Sequence, residues 1–161
     1  MTTDALEADR REITRLHEIW FEANRGFRIE GMREVFAGGN RFHGFNLNGH
    51  TYGDREEWTT LWRHYQKTLD ITDVPKVEKL HVVVKGDVAW LTCEATIRFR
   101  ALSGPGTGSA ALPADDTIAS AKFRGTEVYV REDEDGRPVW KMWHCHYSPS
   151  APETEPRPGF E

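Results

Sequence analysis

Apolar residues recur at helical spacing from Leu6 through Ile13, Leu16 and Trp20 to Phe27, with His17 and Asn24 on the same face. Asp4 and Glu7 form a capping-box pattern ahead of this stripe, and Gly26 reads as its stop. A second, short helix is expected over 29–36, ended by Gly38, Gly39 and Asn40. A short strand over 41–46 follows, with turn residues at Asn48, Gly49 and Gly53. Asp54 and Glu57 then cap the strongest helix, which carries Trp58, Leu61, Trp62, Tyr65 and Leu69 on one stripe, and Pro75 closes the connection.

Beyond Pro75 the period changes from helical to two. A strand over 77–84 turns at Lys85, Gly86 and Asp87 into one over 88–100. That strand alternates Leu91, Cys93, Ala95, Ile97 and Phe99 with Trp90, Thr92, Glu94, Thr96 and Arg98. Residues 101–117, rich in Gly, Ser, Ala and Pro, read as a long hairpin loop. The most informative stretch is a last hairpin, 122–130 and 139–148, joined by an acidic turn containing Gly136; its second strand bears Trp140, Trp143, His144 and His146. Residues 149–161 hold four prolines and are expected as an unordered tail beyond a domain at 1–148. Helices followed by hairpin-linked strands predict an α+β fold. A strongly curved, mostly antiparallel sheet wrapped around the N-terminal helices would make a cone open at one end, a natural pocket.

Composition sharpens this picture in three ways. Six Trp, eight Phe and four Tyr in 161 residues are the side chains that line sites for flat apolar ligands. A net charge of −5 without a basic cluster argues against nucleic acid as a partner. No apolar run approaches membrane-spanning length, the first residues lack signal-peptide character, and Cys93 and Cys145 read as reduced core thiols. The expectation is a cytoplasmic protein with no membrane partner.

Several blocks resemble the NTF2-like superfamily and, within it, the SnoaL-like proteins: Phe42-His43-Gly44-Phe45, Tyr52-Gly53-Asp54-Arg55-Glu56, Lys85-Gly86-Asp87-Val88-Ala89, Arg124-Gly125-Thr126-Glu127-Val128-Tyr129 and Trp140 to Ser148. The similarity spans nearly all of residues 5–148 and extends to the oligomerisation domain of calcium/calmodulin-dependent kinase II. It implies the cystatin-like cone, a homodimer through the outer sheet face, and activities as different as ketosteroid isomerase, polyketide cyclase, dehydratase, epoxide hydrolase and lyase. Thr92, Glu127 and Tyr147 stand where the kinase relative carries pocket arginines. The resemblance therefore implies a neutral or cationic ligand, and an inward facing for Trp90, Thr92 and Glu94; for Phe123, Gly125, Glu127 and Tyr129; and for Trp143, Cys145 and Tyr147.

On that facing, Glu94 and Glu127 would share an aromatic cavity. Burial and mutual repulsion would then raise at least one carboxyl pKa into the range of a general acid or base. The competing structural reading pairs them with Arg98 or Arg124. Tyr129, Tyr147 or His43 would donate to a developing oxyanion. Trp58, Trp62, Tyr65, Trp90, Thr92, Phe123, Trp143 and Cys145 would form the substrate-binding wall, although the helical aromatics also read as plain core. The expected function is cofactor-independent isomerase, cyclase, dehydratase or lyase chemistry on a small apolar or aromatic molecule. A non-catalytic ligand-binding or oligomerisation module is the first alternative. A metal enzyme using His144 and His146, two residues apart on one strand, is the second. Trp140, Met142, His144 and His146 are expected on the dimer face.

Overall fold

The computed structural model describes residues 3–102, 117–152, 154–155 and 158–159. The expected loop at 101–117 falls almost wholly outside these residues, and the expected tail at 149–161 does so in part. Among the described residues the helices are α1 (Thr3–Asn24), α2 (Ile29–Val35) and α3 (Arg55–Thr68). The strands are β1 (His43–Phe45), β2 (Thr51–Tyr52), β3 (Leu69–Ile71), β4 (Lys76–Lys85), β5 (Val88–Ala101), β6 (Ala119–Arg131) and β7 (Trp140–Pro149). None of the described helices is long and apolar enough to cross a membrane.

One strongly curled sheet runs in the order β2-β1-β7-β6-β5-β3, and β4 pairs with the other end of β5. All pairings are antiparallel except β1 with β7, which sets His43 beside His144 and Phe45 beside His146. The sheet reaches slightly past the expected domain end, since the Ser150 N–H donates to the Lys122 carbonyl at 3.1 Å. The short strands β2 and β3 were not expected. Each has too few residues for a period of two to show.

Helix α1 lies in the hollow of this sheet and runs along β6. Near its start Asp9 accepts two hydrogen bonds from Arg131, at 2.8 and 2.6 Å, and one from the Trp140 indole at 3.0 Å. Two turns on, His17 meets Glu127, and then Phe21 meets Phe123 at 6.1 Å between centroids. Gly26 (φ 77°) and Phe27 (φ 50°) end the helix in the left-handed region. That conformation costs nothing for Gly26 but is strained for an aromatic residue, and it sets Phe27 edge-on to Trp62 at 5.6 Å. Helix α3 starts where the sequence predicts, with the Asp54 carboxylate accepting from the Glu57 N–H at 2.7 Å. It turns Trp58 and Trp62 into the same core, where Trp62 stacks on Trp20 at 5.1 Å and 8°.

Candidate functional site

Strand parity decides which residues meet. On β6, Phe123, Gly125, Glu127 and Tyr129 face inward as expected. On β5 the buried residues are Ala89, Leu91, Cys93 and Ala95, so Trp90, Thr92 and Glu94 face outward, opposite to expectation. The physical reason lies in the strand itself: Leu91, Cys93 and Ala95 carry no polar atoms that need water, whereas Thr92, Glu94, Thr96 and Arg98 do. Glu94 sits on the outer face, paired with Lys79 at 2.8 Å, and shares no cavity with Glu127.

On β7 a bulge between Val128 and Tyr129 of the partner strand opposes Val128 to His144 but Tyr129 to Met142, leaving Trp143 between. The bulge breaks the period, so Trp140 and Met142 are buried together with Cys145 and Tyr147. Trp140 and Met142 therefore belong to the core and not to an outer face. Trp143 is half-buried away from the pocket; its indole donates to the Glu132 carbonyl at 3.2 Å. His43 is exposed on β1 and stacks on His144, with ring nitrogens 3.1 Å apart, so it does not reach the pocket rim. Burial, joined by the neighbouring His43 and His146, holds the His144 imidazole below its usual pKa against the pull of the His43 carbonyl. Among the described residues no three His, Cys, Asp or Glu side chains gather as metal ligands.

The cone holds a cavity of about 530 Å³, open at one end. Trp58, Trp62, Tyr65, Phe123 and Tyr147 line it as expected, joined by Trp20, Phe27, Asn48, Tyr52 and His64, which the sequence did not single out. Cys145 does not line it: its sulfur packs where Gly44 leaves room, 2.9 Å from where a Cβ would stand. Burial pushes the Cys145 thiol far up and the Cys93 thiol up to about 12, so neither offers a thiolate near neutral pH.

Tyr147 links the cavity to a buried polar network. Its ring lies across Gly125, where a Cβ would stand 2.6 Å from Cε1 of the ring. Glycine at that position lets the Tyr147 hydroxyl reach Glu127 Oε1 at 2.7 Å. The same hydroxyl accepts from the Trp20 indole at 2.5 Å. Glu127 is fully buried and also accepts from the Tyr129 hydroxyl at 2.7 Å and from His17 Nδ1 at 3.0 Å. Burial pushes the Glu127 carboxyl up, but the His17 charge and the bonds from His17, Tyr129 and Tyr147 outweigh it and hold the pKa below the usual value. This reverses the expected direction, because the second carboxylate that was to repel it is absent and a histidine stands in its place. Burial, and then the Glu127 charge, push both phenols well above their usual values, so they stay protonated. Glu127 and Tyr129 themselves lie behind Tyr147 and outside the cavity lining. Among the described residues three buried side-chain atoms, His17 Nε2, Arg55 Nε and Trp58 Nε1, have no hydrogen-bond partner.

The comparisons with known proteins agree with this architecture. A family model described as a SnoaL-like domain matches residues 13–152. Among solved structures, a Streptomyces avermitilis protein of the NTF2-like family, provisionally labelled a dehydratase, is 20% identical, covers 91% of this chain and 99% of its own, and superposes with a TM-score of 0.66. A Caulobacter vibrioides protein with a cystatin-like fold is 17% identical over 89% of this chain and 90% of its own, at a TM-score of 0.65. A Shewanella frigidimarina protein provisionally labelled a ketosteroid isomerase is 17% identical over 83% of this chain and 92% of its own, at 0.56. No curated protein matches the chain.

Proposed function

The chain belongs to the SnoaL-like family, and from that premise we propose that it is an enzyme moving a proton on a small, flat, largely apolar neutral molecule held in the cone. The observation that carries this reading is Tyr147: one phenol that lines the aromatic cavity and donates at 2.7 Å to a buried carboxylate. Its oxygen can receive a proton from the bound molecule as its own proton passes to Glu127 Oε1. The phenolate, which burial disfavours, never has to form. His17 and Tyr129 hold Glu127 in place, and Trp20 holds the Tyr147 oxygen. Trp62 and Phe27 supply the flat apolar walls. The labels dehydratase and ketosteroid isomerase on two structural neighbours name reactions that need such a transfer.

The test uses 2-tetralone, a flat ketone with acidic C–H bonds, in D2O. The protein should speed loss of the ketone's α-proton NMR signals, and Tyr147→Phe should remove that acceleration. A second reading, a non-catalytic binding module, is favoured by the completeness of the Glu127 network, which leaves no donor to the carboxylate unmatched. Binding of 2-tetralone with no faster exchange than in buffer would select it. We read the outer sheet face, which exposes Phe45 and Trp90, as the surface for a second copy of the chain.

A further inference from the structure

Two polar residues, His17 and Asn24, stand on the apolar stripe of α1, two turns apart on one face. The bond to Glu127 accounts for His17. Asn24 has no such partner across the core. Its one side-chain bond is to its own helix, where Nδ2 donates to the Trp20 carbonyl at 2.8 Å. A carbonyl can only accept, so the amide cannot be turned over and Oδ1 must point elsewhere. Among the described residues nothing donates to that oxygen. Nor is the oxygen sealed inside the protein, because Asn24 is half-buried and lines the cavity. The other side chains that α1 gives to the cavity are Trp20 and Phe21. The Trp20 N–H is spent on Tyr147, and Phe21 has no polar atom. Asn24 Oδ1 is therefore the one unused acceptor on this wall.

We propose that Asn24 is a specificity residue of the cone, whose Oδ1 accepts from a hydroxyl on the bound molecule, and that the substrate class is therefore a flat, largely apolar molecule that carries a hydroxyl. Asn24 lies four residues beyond Trp20, which places it about 6 Å further along the helix axis than the residue that holds the Tyr147 oxygen. Tyr147 then meets one end of the molecule and Asn24 the other. The assignment of the reacting end rests on the proton-transfer reading of the cone. One Nδ2 hydrogen is taken by the Trp20 carbonyl, so the amide offers the cavity an acceptor and one remaining donor. A hydroxyl answers both through a single atom, whereas an ether answers only the donor and a bare ring answers neither. The walls nearby are apolar, with Phe21 and Phe27 also lining the cavity. A ligand that displaces water from them without donating to Oδ1 leaves an acceptor unpaired, and that unpaired acceptor is the source of the discrimination.

The experiment titrates the chain calorimetrically with 2-tetralone, with its 6-hydroxy and 7-hydroxy derivatives, and with the matching methoxy derivatives. These hydroxyls sit on the ring away from the acidic C–H bonds. One hydroxy derivative should bind the native chain about fivefold more tightly than 2-tetralone, and its methoxy counterpart should show no gain. Asn24→Leu keeps the bulk and removes the polar atoms, so the same hydroxy derivative should bind it no more tightly than 2-tetralone. Asn24→Asp keeps an acceptor and loses the donors, so it should retain the gain. No gain in the native chain, an equal gain for the methoxy compound, a gain that survives in Asn24→Leu or one that is lost in Asn24→Asp overturns the role of Asn24. Exchange of 2-tetralone in D2O would in that event leave the proton-transfer reading standing. A gain lost in Asn24→Leu, with no exchange by the native chain, supports Asn24 as the hydroxyl acceptor and overturns the proton-transfer reading. Failure of the native chain to bind any of these compounds overturns both. Circular dichroism of each variant confirms that the fold is intact before titration.

Discussion

Glu94 and Glu127 occupy neighbouring antiparallel strands of one sheet, and their surroundings are opposite. Glu94, on the outer face, meets one exposed lysine. Glu127, on the inner face, meets two phenols and an imidazole and no water. A carboxylate in water interchanges solvent for a lysine at almost no net gain. A carboxylate out of water is stable only if its charge is matched and its oxygens are filled. The comparison teaches that one residue type serves as a solubility group on one side of a strand and as the anchor of a polar network on the other. Parity alone chooses between them.

The largest effect should come from removing the anchor. Glu127→Ala leaves His17 and two phenols buried without their acceptor and should cost about 3–5 kcal/mol of stability, read as a fall in the urea midpoint. Gly125→Ala tests the network from the other side. The added methyl collides with the Tyr147 ring, and the change should cost about 1–3 kcal/mol. It should also slow 2-tetralone exchange by displacing the hydroxyl. The network has a pH signature as well. A carboxyl whose folded pKa lies below its ordinary value of 4.5 stabilises the fold above that pH, and the contribution is lost as pH falls through the folded pKa. Denaturation midpoints measured downward from pH 6 should therefore drop more steeply below 4.5 for the native chain than for Glu127→Gln. The smallest effect belongs to the outer face, where Glu94→Gln should change stability by less than about 0.5 kcal/mol.

Much of this was legible in the chain. The helices and the four long strands follow from capping residues and alternation; the inward facing of β6 came from the resemblance, and its alternation agrees, since Phe123 and Tyr129 share parity with Glu127. The facing of β5 was also legible from its own pattern, which puts Thr92, Glu94, Thr96 and Arg98 on one side; correspondence with a distant relative pointed the other way. Two features carry no local signal. The bulge at Trp143 adds one residue to β7 and shifts the parity between Met142 and Cys145. His17 meets its partner 110 residues away, and only its place on a buried helical stripe hinted that such a partner must exist. The bonds from Asn48 to Tyr52 and Tyr65 form at a turn, where periodicity does not apply.

The most direct test is the charge of Glu127 itself. With glutamate carboxyls labelled by ¹³C, the resonance missing from Glu127→Gln identifies the residue, and its shift can be followed against pH. The account predicts a carboxylate that is ionised at neutral pH and whose titration in the folded protein is centred below the ordinary 4.5. A Glu127 resonance showing a neutral carboxyl at pH 7 would contradict it, because Tyr147 would then have no acceptor for its proton.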